Sequence, residues 1–141
     1  MKLELLIKIK PMPHQSVRVT RSGIHYQPKK VKDYKRDVIL QVKEQLPDDF
    51  QIIPKGSDIN IEELIYCFAF PKSMPKKHRL IGMSKTTKPD LHDNLNKALF
   101  DALEGVVWEQ DQNISCIQFM RKCYGEENYI RIIVNCDENY K

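Results

Sequence analysis

No apolar run in this 141-residue chain approaches the ~18 residues of a membrane-spanning helix, and its longest greasy stretches are broken by charges. No signal-peptide pattern opens it: Lys2, Glu4 and Lys8 interrupt Met1-Lys2-Leu3-Glu4-Leu5-Leu6-Ile7-Lys8, which alternates like a strand. These absences argue against a membrane role and point to a reducing cytoplasm. The four cysteines, Cys67, Cys116, Cys123 and Cys136, form no Cys-x-x-Cys pair and no Cys/His ladder, which argues against a zinc site. Cys67 and Cys116 fall in apolar strand-like runs, where a small buried thiol is expected. Internal repeats and low-complexity segments are missing too. A net charge of +4 is too mild to identify a partner by itself, so the distribution of charge carries the argument.

What is present reads as one domain over residues 1–141. Leu3, Leu5, Ile7 and Ile9 alternate with mostly polar neighbours from Lys2 to Lys10, a half-buried strand. Val17 to Tyr26 alternates around Arg21-Ser22-Gly23, a short hairpin. Val31, Tyr34, Val38, Val42 and Leu46, spaced three or four apart, predict an amphipathic helix ending near Pro47. Asp58 to Phe70, with Leu64, Tyr66, Phe68 and Phe70 on one face, predicts a central strand. A second helix runs from Asp90 to Glu104 on the stripe Leu91, Leu95, Ala98, Leu99, Ala102 and Leu103, with Gly105 as its stop. Ile114 to Tyr124 and Tyr129 to Cys136 read as strands joined in a hairpin through Gly125-Glu126-Glu127-Asn128. The order predicts an α+β fold, a mixed sheet with helices packed on one face. Trp108 reads as a core or interface aromatic.

Two adjoining features carry chemistry. Lys72, Lys76, Lys77, Arg79, Lys85 and Lys88 arrive in a stretch that reaches Pro89 without an Asp or Glu. A solvated surface loop would look the same; beside an acidic motif, a phosphate-contacting arm is the sharper reading. Arg18, Arg21, Lys29, Lys30 and Lys122 would extend that footprint. The second feature is a helix face: Asp90, Asp93, Asn94, Lys97, Asp101 and Glu104 lie opposite the leucine stripe. Such faces are commonly solvated charge pairs. Here Asp90 and Asp93 stand at the helix start, and a reversal through Gly105 can return Asp111, flanked by Glu109, to the same side. Asp90, Asp93 and Asp111 would then hold hard divalent cations such as Mg²⁺, with Mn²⁺ a substitute, against a phosphodiester. Lys97 would supply a point charge for the scissile phosphate or attacking water. That combination is a nuclease site.

The block Lys88-Pro89-Asp90-Leu91-His92-Asp93-Asn94-Leu95-Asn96-Lys97, followed by Asp101-Ala102-Leu103 and Asp111-Gln112-Asn113-Ile114, resembles the RusA family of Holliday-junction resolvases. Gly23-Ile24-His25-Tyr26-Gln27-Pro28, with Tyr34 beyond, is similar to that family's segment ahead of its first helix. The resemblance implies a metal-dependent homodimer of phage or prophage type, at work in the cytoplasm of a bacterial or infected cell. It would nick opposed strands of a four-way DNA junction in recombination and repair. Carried over, the second motif aspartate is Asp93, followed by Asn94 and the lysine Lys97, and the downstream catalytic aspartate is Asp111. The family has one residue between its paired aspartates, whereas Leu91 and His92 both stand between Asp90 and Asp93. Asp90 therefore takes the first position only if the helix start absorbs an extra residue, and His92 is a candidate supplementary ligand. A nuclease for flaps or other branched DNA, and a junction-binding accessory protein with a lapsed site, remain alternatives.

Overall fold

The computed structural model describes residues 1–13, 18–90 and 94–136. Its elements are strand β1 (Lys2–Ile7), a small ribbon of β2 (Arg18–Val19) and β3 (His25–Tyr26), helix α1 (Lys29–Gln45), strand β4 (Ile59–Ala69), helix α2 (Asn96–Leu103), and strands β5 (Ile114–Ile117), β6 (Met120–Gly125) and β7 (Tyr129–Cys136). β7 lies antiparallel between β1 and β4, while β5 and β6 run parallel to β4 along its other edge. The mixed sheet with two helices is the expected α+β class. No helix among the described residues is long and apolar enough to cross a membrane.

Alternation sets the inward face. Leu3, Leu5 and Ile7 of β1, and Ile130, Ile132 and Val134 of β7, are buried in one core with Tyr34, Val38 and Val42 of α1 and Leu99, Ala102 and Leu103 of α2. In β4 the inward set changes parity, from Ile59 and Ile61 to Leu64, Tyr66 and Phe68. A bulge explains the change: Ile61 and Glu63 oppose the adjacent residues Val134 and Ile133, so Glu62 is the additional residue. The neighbouring edge breaks at the same level. Gln118 N–H bonds Ile61 O at 2.8 Å and Leu64 N–H bonds Phe119 O at 2.9 Å, so the strand expected over 114–124 is two strands.

The expected hairpin of the last two strands is also corrected. β6 and β7 do not pair with each other; they straddle β4, and Gly125-Glu126-Glu127-Asn128 crosses its C-terminal end. Asn128 Oδ1 accepts from Ala69 N–H at 2.8 Å there. Loop length suited a hairpin, but the strand with most apolar residues won the centre of the sheet. Cys116 is exposed rather than buried, whereas Cys67, Cys123 and Cys136 are buried thiols. Trp108 is fully buried, edge-on to Phe100 at 5.7 Å.

Each outer edge is covered in part. Gln45 Nε2 donates to Leu6 O at 2.7 Å and Gln45 Oε1 accepts from Leu6 N–H at 2.9 Å, so one amide of α1 imitates a missing strand beside β1. Gln41 does the same for Lys8, at 2.9 and 2.7 Å. Along β6, residues 82–85 run antiparallel: Gly82 N–H to Tyr124 O is 2.8 Å, Tyr124 N–H to Met83 O 2.9 Å, and Lys85 N–H to Lys122 O 3.1 Å. Such cover closes those stretches of edge to pairing with another chain.

Candidate active site

α2 is the platform for the acidic residues. It is entered through Asn94 and Leu95 in π-helical geometry, with Leu95 N–H bonded to Asp90 O at 3.2 Å, five residues back rather than four. A π-turn holds one residue more than an α-turn. Inside the helix, Asn96 is anchored in the core by the Tyr66 hydroxyl, which puts Lys97 on the exposed side.

The helix stops at Leu103, and Gly105 at φ +84° turns the chain, its N–H bonding Trp108 O at 2.8 Å. A positive φ is readily adopted only by glycine. Buried Trp108 then pins the return, Glu109 N–H bonds Ile53 O at 2.9 Å, and a single 3₁₀ turn, Asp111–Asn113, leads into β5. The reversal brings Asp111 back to the helix face, with its N–H 3.3 Å from Glu104 Oε1.

Carboxylate oxygens of Asp101, Glu104 and Asp111 lie within 4.8 Å of one another. Asp101 and Asp111 are half-buried and Glu104 is exposed. Burial pushes the Asp111 carboxyl above its ordinary range; the charges of Glu104 and Asp101 push the same way, and backbone N–H groups oppose them. Three hard oxygen donors so crowded suit a divalent cation better than they suit one another. Behind them, Tyr34 and Asp101 border a cavity of about 10 Å³ between α1 and α2. The buried Tyr34 hydroxyl has no hydrogen-bond partner among the described residues, and burial raises its pKa.

Of the sequence-predicted ligands, Asp111 stands in this cluster. Asp90 is exposed and outside it. Asp93 and His92 lie outside the described residues. The sequence places Asp101 and Glu104 on the acidic face but not in the ligand set. Their signal was the i, i+3 spacing, which puts two carboxylates one turn apart; what sequence withheld was which of the face's acids the returning Asp111 would meet.

The cations divide into two groups. Lys72, Lys76, Lys77 and Lys88 are exposed. Arg79 is tied down, Nε donating to Met74 O at 3.0 Å and Nη2 to Pro71 O at 3.1 Å, with its guanidinium 5.6 Å from the Phe70 ring centre. Lys85 Nζ donates to Thr87 Oγ1 at 2.7 Å and to the Tyr124 hydroxyl at 3.1 Å, above the rings of Phe68 and Tyr124. Lys122 Nζ reaches Pro89 O at 2.7 Å. The basic stretch is thus an anchored arm whose tied cations hold its shape and whose exposed lysines face water.

The family model described as Endodeoxyribonuclease RusA matches residues 8–135. No curated protein matches the chain.

Proposed function

The chain belongs to the RusA endodeoxyribonuclease family, and from that premise we propose that it resolves four-way DNA junctions by paired, symmetric, Mg²⁺-dependent nicks in recombination and repair. The family carries the nuclease activity on branched DNA. The observation that supports a cation-dependent site in this chain is the convergence of Asp111 with Asp101 and Glu104 across the Gly105 reversal.

The donor set fits a hard divalent ion: every group is a carboxylate, and their mutual repulsion is what a cation relieves. Asp111 is the residue shared by this cluster and by the ligand set Asp90, Asp93 and Asp111 that the resemblance implies. When bound, Mg²⁺ or Mn²⁺ supplies Lewis-acid polarisation of the phosphodiester. The chain does the rest. Lys97, one turn before Asp101 on the exposed side of α2, places positive charge where a phosphate gains negative charge in the transition state. Lys72, Lys76, Lys77 and Lys88, with Arg79 and Lys85 shaping the arm, hold the backbone and set affinity rather than sequence choice. A two-fold dimer presents two such sites with the symmetry of the junction.

The test is nicking of a labelled, immobile four-way junction against a linear duplex, in Mg²⁺, Mn²⁺ or EDTA, by wild type, Asp93→Asn and Asp111→Asn. Symmetric junction cuts that need the cation and vanish in both variants are expected. Tight junction binding without cuts in any metal would overturn the nuclease assignment for this chain in favour of an accessory binding role.

A further inference from the structure

The geometry points to a nucleobase subsite at the far end of β4 from the acidic cluster: the Leu80–Ile81 turn and the cavity behind it receive a base unstacked from the branched DNA. This rests on the DNA-binding reading above but not on the cleavage chemistry. Leu80 and Ile81 are 70% and 69% exposed, the most exposed large hydrophobic side chains among the described residues. Isolated exposed aliphatics need no explanation. Two adjacent ones, inside a stretch of five lysines and one arginine, do.

The turn that carries them is fixed. Met83 N–H bonds Leu80 O at 3.0 Å, and Gly82 at φ +87° supplies the positive dihedral that a type II turn requires at that position. The bonds from Gly82 and Met83 to Tyr124 then rivet it to β6. A pair of apolar side chains on a rigid tip is the shape of a wedge between base steps.

Behind the tip an open cavity of about 460 Å³ is lined by Phe70, Lys76, Arg79, Ile81 and Glu126. That volume falls in the range of small-ligand pockets. Phe70 stacks on Tyr124 with centres 6.0 Å apart and planes 17° apart, and the Arg79 guanidinium lies over the Phe70 ring. Two backbone carbonyls hold that guanidinium, so a flat cationic surface is ready for a base to stack on. Lys76 offers charge to the attached phosphate. Glu126 is the one acid in the cavity lining, placed to accept an N–H from the Watson–Crick edge of an unpaired base. Charge complementarity thus commits the pocket to a nucleotide. Location separates it from the acids: Phe70 N–H bonds Gly125 O beyond the C-terminal end of β4, while the strand after Asp111 pairs at the opposite end, Ile114 with Ile59.

The experiment places 2-aminopurine at and beside the branch point of an immobile junction in EDTA and follows its fluorescence on binding. Wild type is compared with Leu80→Ser/Ile81→Ser and Leu80→Met/Ile81→Met, with thermal unfolding of each. Expected is at least a threefold rise with wild type and the methionine pair, reduced to under a third of that rise by the serine pair at saturating protein. Retention of the full rise by a folded serine pair overturns the subsite while leaving the nuclease reading intact. Loss of the rise in the methionine pair as well shows that shape alone, not an apolar wedge, is at work and also overturns it. A change in oligomeric state of the DNA-free serine pair assigns the turn to a protein interface instead. Absence of junction binding by wild type is the separate outcome that sinks the underlying DNA reading.

Discussion

The Tyr66 hydroxyl donates to Asn96 Oδ1 at 2.7 Å, a buried bond that ties the first turn of α2 to the middle of β4. Asn96 Nδ2 lies 3.0 Å from Met120 Sδ, so one amide reaches both β4 and β6. Burial, with a smaller push from Tyr34, holds the Tyr66 pKa well above its usual value, which keeps the hydroxyl a donor at any working pH. Tyr66→Phe strips Asn96 Oδ1 of its donor without opening a cavity. The expected cost is ~1–3 kcal/mol, a fall in Tm of about 3–10 °C. A melt within a degree of wild type would show that the bond contributes nothing.

Asp111 holds its proton more tightly in the folded chain than an ordinary aspartate does, because burial and the neighbouring carboxylates disfavour its charge. The folded state then binds more protons than the unfolded one between the ordinary and the raised pKa. Stability therefore falls as pH rises through that window and stays reduced at neutral pH. Asp111→Asn removes the penalty, so without divalent cation the variant melts higher at pH 7, by about 1–3 °C since the cluster is largely solvated. The gap closes below about pH 4, where the carboxyl is protonated in both states. Mg²⁺ raises the wild-type Tm and raises that of the variant less. Scanning calorimetry from acid to neutral pH, in EDTA and in Mg²⁺, checks this; a variant that melts lower at pH 7 without metal contradicts the repulsion.

The same residues show what a sequence can reveal. Val31, Tyr34, Val38 and Val42 face the core as their spacing implies, because a helix converts spacing directly into a face. Strand alternation does the same for Leu3, Leu5 and Ile7, yet says nothing about which strand lies alongside. That is why the loop between β6 and β7 reads as a hairpin although β4 lies between the two strands. The amides of Gln41 and Gln45 against β1 are long-range partners invisible to any local pattern. At the site, the return of Asp111 through Gly105 was legible as a reversal. Its meeting with Asp101 and Glu104 rather than with Asp90 was not, since it depends on where Trp108 docks.

The arm makes a graded prediction. Lys72, Lys76, Lys77 and Lys88 are exposed, so replacing any one by alanine removes at most one phosphate contact. Each is expected to weaken junction binding across sequences alike and to lower the slope of log K against log salt by about 0.9. Lys85 differs, because its ammonium is bonded to Thr87 and Tyr124 and lies over two rings. Lys85→Ala is expected to lower Tm, by roughly 1–2 kcal/mol of stability, and to loosen the arm from β6. Binding isotherms at several salt concentrations, with melts of the same variants, separate the classes. Equal salt slopes for wild type and all four exposed variants would remove the arm from the DNA footprint.

Lys97 has two readings that kinetics can split. As half of an i, i+4 pair with Asp101 on a solvent face, its loss costs well under 1 kcal/mol of stability and leaves cleavage untouched. As the charge that meets the transition state, its loss slows cleavage without weakening the complex, because one exposed ammonium among many cations adds little to affinity. Lys97→Ala is therefore expected to reduce single-turnover nicking at saturating enzyme by about 100–1000-fold, with junction affinity nearly unchanged. Lys97→Arg keeps the charge but spreads it over a planar fork, so it restores activity only in part. Nicking by Lys97→Ala within a few-fold of wild type would return Lys97 to the solvated face and leave the carboxylates to act without it.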